Sequence, residues 1–432
     1  MLLTRLDLRG APPDLARRLP RPEPRADEPV AAVREILAAV RERGDAAVRE
    51  YTARFDGAVL DDLAVAPGEW KRALDAVPGR LRDALEAALD NIAAFHRAEA
   101  APDVAWERGG LAVRTLRRAV DRAGCYVPGG RATYPSTVLM TAVPARVAGV
   151  AEVVVCVPPG RDGGVPDAVL AAAALAEVDA VYRVGGAQAI GALAYGTESI
   201  PAVDVIVGPG NTYVAVAKRE VGAQGRVGVP SAFAGPSEVV VVADGTAPPE
   251  LVAVDLIVQA EHGPDGLAWL VTWSEEVADA VTAAVDRLAA GAPRRTDIES
   301  TLDAGGYAAI VDSPEQAMAV VNLIAPEHLE LMTADPEALV PLVRHAGAVF
   351  VGLLAPASLG DYVAGPNHVL PTFGSARFAG ALTVDDFTKP LHVISADRVA
   401  FDRLGPHVEA RAAAEGLDAH AQSIRLRRGA QT

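Results

Sequence analysis

From Gly124 onward the chain alternates short β-branched runs with alanine-rich stretches, and this alternation restricts the available folds more than any other feature. AEVVVCV (151–157), VDAVYRV (178–184) and VDVIVG (203–208) read as buried strands, each followed by a helical stretch. The rhythm restarts at SEVVVVA (237–243) and continues through LAWLVTW (267–273), YAAIVD (307–312) and GAVFVG (347–352). An intervening helix brings the chain back to the end where the previous strand began, so successive strands run parallel and helices cover both sheet faces. The expected fold is α/β, with two Rossmann-like parallel-sheet domains and helical N- and C-terminal extensions. The domains are expected at 124–236 and 237–390, with the site between them.

Residues 11–29 are rich in proline and charge, so 1–29 reads as an arm or linker. Residues 30–123 are expected to form a helical part packing with the second α/β domain, and 391–432 a helical tail reaching a partner subunit. Half of the 432 residues are hydrophobic, enough for sizeable cores. The net charge of −16 argues against nucleic-acid and anionic-membrane partners, which need a basic surface. There is no window of 18 uncharged apolar residues, and charge interrupts the first residues too early for a signal peptide. A cytoplasmic protein is expected. Cys125 and Cys156 are too few for a disulfide framework or a cysteine zinc site, and neither has a nearby activating base.

Three glycine turns follow strands of the first array: YVPGG (126–130), GGAQAI (185–190) and GPGN (208–211). Free N–H groups at the following helix suit an anionic or polar ligand group. An ordinary βα turn would look the same, and the third glycine of a dinucleotide fingerprint is missing after GPGN. Tyr126, Gln188 and Asn211 are the polar tips of these turns. In QAEH, Gln259 and His262 share a helix face three residues apart, and Gly263-Pro264 ends that helix. In APEHLEL, Glu327 and His328 follow a proline that bends the backbone, and a carboxylate beside an imidazole suits proton transfer. A solvated glutamate and a capping histidine is the alternative. GDYVAGPNHVLPT (360–372) carries Asp361 and His368 on a loop punctuated by glycine and proline. EGLDAH (415–420) places Glu415 at a helix end and His420 at the start of the next helix.

Taken in order, these strings resemble the histidinol dehydrogenase family, over roughly residues 25–425. The resemblance also rests on GDAAVREYTARFDG, GTES, AGPSE and DDF-x-K. It implies sheets like those of aldehyde dehydrogenases, intertwined homodimers, and NAD-linked oxidation of L-histidinol to L-histidine through bound L-histidinaldehyde. It implies a zinc ion held by Gln259, His262, Asp361 and His420. Substrate contacts would come from Ser237, His328 and Glu415 together with those four residues, and NAD contacts from Tyr126, Gln188 and Asn211. Glu327 and His328 would be the acid–base pair. Ser231 departs from the acidic residue that the family often carries three positions before AGPSE.

That chemistry is internally consistent. Two imidazoles, a carboxylate and an amide oxygen leave zinc a positive charge and room for a chelating substrate. An imidazole with an unperturbed pKa of about 6.5 can accept an alcohol proton near neutrality. The aldehyde must be hydrated before a second hydride can leave, and a carboxylate can deprotonate that water. A zinc and NAD amino-alcohol dehydrogenase of other specificity, or a catalytically silent NAD-binding protein, would share many of these motifs.

Overall fold

The β-branched runs form strands, and the alanine-rich stretches between them form helices. The computed structural model describes residues 1–10, 15–20, 29–130, 132–230, 237–261, 263 and 266–429. The chain starts with strand β1 (Thr4–Asp7) and helices α1 (Leu15–Arg18), α2 (Val30–Arg43), α3 (Asp45–Phe55), α4 (Pro67–Ala76) and α5 (Gly79–Glu99). Strands β2 (Val104–Arg108), β3 (Leu111–Ala119) and β4 (Arg122–Tyr126) follow. The first alternating array is α6 (Pro135–Ala148), β5 (Glu152–Val157), α7 (Asp167–Leu175), β6 (Ala180–Arg183), α8 (Gly186–Tyr195), β7 (Val205–Val207) and α9 (Thr212–Ala223). The second is β8 (Glu238–Ala243), α10 (Pro249–Ala260), β9 (Leu267–Thr272), α11 (Glu275–Ala290), α12 (Arg295–Gly305), β10 (Gly306–Ile310), α13 (Pro314–Ile324), β11 (His328–Met332), β12 (Ala348–Val351) and α14 (Ala357–Tyr362). Strand β13 (Thr388–Ala396) and helices α15 (Arg398–Ala414) and α16 (Asp418–Gly429) complete the described chain.

Each array forms its own parallel sheet. The first has strand order β6-β5-β4-β7 and the second β1-β10-β9-β8-β11-β12. In both, the order reverses beside the first strand of the array, as in doubly wound folds. Val239 to Val242 of β8 and Val153 to Val155 of β5 are fully buried, as strands covered on both faces require. Among the described residues, no helix is long and apolar enough to cross a membrane.

Three expectations about the extensions need correction. Residues 1–29 are not all linker: β1 pairs with β10, from Thr4 opposite Tyr307 to Asp7 opposite Ile310. Leu3 and Leu8 on either side of β1 are buried in the cores of that sheet. Helices α2 to α5 pack mainly with α6 to α9 of the first domain, and α5 also reaches the expected second domain, where Asn91 Nδ2 donates to the Val363 carbonyl at 2.8 Å. The reason lies in the covering helices. α8 (GAQAIGALAY) is apolar around its whole circumference, so its outer side needs a second layer. Val33, Ile36, Leu37 and Val40 of α2 supply that layer. A Cβ at Gly191 of α8 would lie 3.2 Å from Leu37 and 3.3 Å from Val40, so glycine lets the helices approach closely.

Finally, 30–123 is not wholly helical and 391–432 does not begin as helix. β3 pairs antiparallel with both β2 and β13, from Leu111 opposite Ala396 to Ala119 opposite Thr388. These strands, with α15 and α16, form a separate compact unit of residues 100–119 and 388–432. Residues 1–99 and 120–387, with both parallel sheets, form the larger unit.

Candidate active site

Within the larger unit a cavity of about 890 Å³ lies between the two sheets. Pro128, Pro209 and Asn211 reach it from the carboxyl ends of β4 and β7; Ser237, Glu327 and His328 reach it from the amino ends of β8 and β11. The first sheet thus presents its usual ligand-binding edge and the second the opposite edge.

The acid–base pair is set by the turn before β11. α13 ends at Ala325 in the left-handed conformation (φ 54°), an uncommon conformation for a residue with a Cβ, and Pro326 prevents the helix continuing. This sharp exit lets consecutive side chains meet: Glu327 Oε2 lies 3.5 Å from His328 Nδ1. Glu238 grips both through its backbone. Its N–H donates to Glu327 Oε2 at 2.9 Å, and its carbonyl accepts from His328 Nδ1 at 3.1 Å. That second bond puts a proton on Nδ1 and turns Nε2 toward Asp361, whose Oδ1 is 3.3 Å away.

Burial raises Glu327 to about 7, against the opposing pull of the His328 charge and the Glu238 N–H. Burial alone would lower His328, but the charges of Glu327 and Asp361 with the Asp361 hydrogen bond outweigh it and raise the imidazole to about 9. The pair can therefore hold and exchange a proton near neutrality.

Asp361 sits near the end of α14, and its carbonyl accepts from Nδ1 of His368 at 3.0 Å. Nε2 of His368 lies 3.4 Å from the Thr137 hydroxyl, so this histidine ties the Asp361 backbone to α6. Gln259 occupies the last turn of α10, almost wholly buried, with no partner for Nε2. His262 and Ser231 lie outside the described residues. Glu415, the C-cap of α15, and His420 on α16 are exposed on the smaller unit. Among the described residues no three His, Cys, Asp or Glu side chains gather as a metal cluster.

A second cavity, of about 1060 Å³, collects the three tips of the first-sheet turns, Tyr126, Gln188 and Asn211. Asn211 borders both cavities. It also caps α9, its Oδ1 accepting from Val214 N–H at 3.1 Å. The preceding turn needs glycine: at Gly208 (φ +105°) a Cβ would lie 2.1 Å from the Tyr126 carbonyl. Gln188 is 1% exposed, and neither atom of its amide has a partner within the protein. The Tyr126 ring is buried, and its hydroxyl accepts from Gly186 N–H at 3.1 Å.

A family model described as histidinol dehydrogenase matches residues 19–428. A histidinol dehydrogenase of Synechococcus is 51% identical over 402 residues, covering 92% of each chain. That of Geobacillus kaustophilus is 48% identical, covering 92% of this chain and 93% of the relative. The crystal structure of histidinol dehydrogenase from Elizabethkingia anophelis superposes with a TM-score of 0.94 at 34% identity, covering 99% of this chain and 98% of that one.

The chain belongs to the histidinol dehydrogenase family.

It is accordingly an oxidoreductase of histidine biosynthesis. For a dehydrogenase of this family, one further residue at the site gave no sequence signal. Glu238 reads as the polar start of an apolar strand, yet it is 3% exposed, with Oε2 unpartnered. Burial and then the Glu327 charge raise its carboxyl to about 8. Its role comes from backbone groups, which no residue type announces. Both cysteines are fully buried, and burial pushes Cys125 up to about 12 and Cys156 further, so neither thiol is a poised nucleophile.

Proposed function

We propose that this enzyme oxidises L-histidinol to L-histidine with NAD, through an L-histidinaldehyde that stays bound between two hydride transfers. The reading rests on one observation above all. Glu327, His328 and Asp361 converge on a cavity that also receives Asn211 from the edge of the first sheet.

The residues suit a zinc ion. Gln259 brings a buried amide incompletely paired within the protein, and Asp361 a carboxylate at the cavity. With His262 and His420 they make a donor set of two imidazoles, one carboxylate and one amide, of the type zinc accepts. Zinc held there would supply a positive centre for the substrate's polar groups and would offset the charge of Asp361, one of the charges holding a proton on His328. His420 and Glu415, exposed on the smaller unit, are assigned to the site of a second copy in a homodimer. The residues also suit NAD: the unpaired Gln188 amide borders the second cavity with Tyr126 and Asn211.

His328 acts first. With Nδ1–H held by the Glu238 carbonyl, Nε2 is the atom that would take the alcohol proton, the hydride acceptor being the chemistry a bound NAD would supply. Glu327 acts second, as the base that deprotonates the water adding to the aldehyde. Its raised pKa makes it a stronger base than an exposed carboxylate while leaving it partly ionised at neutrality. The cavity and ligand set retain the aldehyde, and the enzyme is expected to work in the cytoplasm. The test is absorbance at the NADH band with histidinol, before and after exhaustive chelation. Two NADH per histidinol, lost with the metal and restored by zinc, support the assignment. Activity in metal-free protein, or one NADH with aldehyde released to a trapping reagent, would refute it.

A further inference from the structure

Behind the site, a buried carboxyl, Glu330, meets a half-buried one, Asp255, and the mechanism uses neither. Asp255 lies on α10, one turn before Gln259 and on the same helix face. Glu330 lies on β11, two residues after His328 and on the same strand face. The two side chains are hydrogen-bonded to each other. Glu330 is 1% exposed, and its Oε1 accepts the Ala357 N–H at 2.8 Å. Ala357 opens α14, the helix that carries Asp361. One carboxyl pair therefore touches three elements, and each holds one residue of the proposed reaction site.

The pair must hold a proton. Between two ionised carboxylates there is no donor, and Glu330 Oε2 would then be a buried acceptor with no partner. Two negative charges at hydrogen-bond distance, one of them on the buried Glu330, also repel strongly. Both groups are raised by burial, and Glu330 further by the Asp255 charge, the direction expected of a pair that retains a proton.

We propose that Asp255 and Glu330 form a proton-sharing acid pair that ties α10, β11 and α14 together and so positions Gln259, His328 and Asp361. They are positioning residues, acting through the side chains they align. The inference rests on the reading that those three side chains form the reaction site.

Two variants and two readouts test it. Asp255→Leu removes the link, whereas the double substitution Asp255→Asn with Glu330→Gln keeps a donor and an acceptor at the same places without a shared proton. Supporting groups of this kind are worth about 10–100-fold in metal affinity or activity. Calorimetric titration of metal-stripped Asp255→Leu with zinc should show a loss of that size, matched in kcat/KM for histidinol. The double amide variant should recover both to within about threefold, a rescue that mere removal of buried charge would not predict. In the infrared, wild type minus the double variant should contain the carbonyl stretch of a protonated carboxylic acid.

Unchanged zinc affinity in Asp255→Leu overturns the proposal, and so does a double variant as impaired as the leucine one. If Asp255→Leu fails to fold, the double variant and the infrared band decide, and absence of the band overturns it. A wild-type protein that forms no NADH from histidinol instead overturns the site reading, which the band alone would not reveal.

Discussion

Replacing Lys218 with methionine should change how stability depends on pH. Lys218 is fully buried on α9, and its ammonium donates to the carbonyl of Gly208, in the turn that leads to Asn211. Burial pushes its pKa from 10.5 down to about 7. Between those values the folded lysine is neutral while the unfolded one still binds a proton. Unfolding then takes up a proton, so raising the pH opposes it and stability rises. Some three and a half units at about 1.4 kcal/mol each set a ceiling of about 5 kcal/mol across the full interval. Methionine does not titrate, so the wild-type advantage over the variant should grow by about 2–3 kcal/mol between about pH 7 and about pH 9. At about pH 6 the variant is spared the cost of a buried ammonium but leaves the Gly208 carbonyl without that donor, a penalty of about 1–3 kcal/mol. The assay is urea denaturation of both proteins across this pH range, followed by circular dichroism. Because the same protein differs at one position, other titrating groups cancel in the comparison. A stability difference that stays constant with pH would refute the reasoning, since it would mean that the lysine titrates alike in both states.

Three further outcomes follow from the site. Glu327→Gln should slow oxidation of the aldehyde by about 10²–10⁴-fold and the first hydride transfer much less, as separated by single-turnover NADH traces; equal losses in both steps would merge the two roles. Gln188→Leu should raise the KM for NAD at least about tenfold while leaving the melting temperature unchanged or higher, because both amide atoms lack partners within the protein and an apolar group there removes a burial cost. Co-expressed His262→Ala and His420→Ala chains should recover about a quarter of wild-type activity, since random pairing makes half the dimers mixed and each mixed dimer has one intact site. No recovery would place His420 in the site of its own subunit.

Much of this protein was legible in one dimension because its strongest signals are local. A run such as EVVVVA must be buried on both faces, and helices between such runs force parallel pairing, so the two arrays follow from hydrophobic pattern alone. Glycine turns and the Glu-His step after Pro326 depend on backbone geometry over a few residues, and the candidates they marked converge within the larger unit. What the pattern could not carry is pairing at long range. β1 finds β10 some three hundred residues away, and β3 finds β13 at a similar distance, because an exposed or half-buried short strand has no periodicity strong enough to name its partner. The layer of α2 to α5 over the first sheet follows from surplus apolar surface on α8, a property of the assembled sheet and not of either segment alone. Only the tertiary structure revealed Glu238, Asp255 and Glu330 as partners of the site. Their side chains and backbone groups act through burial and through neighbours distant in sequence, and a carboxyl's affinity for its proton is decided by that surrounding, not by the letter that encodes it.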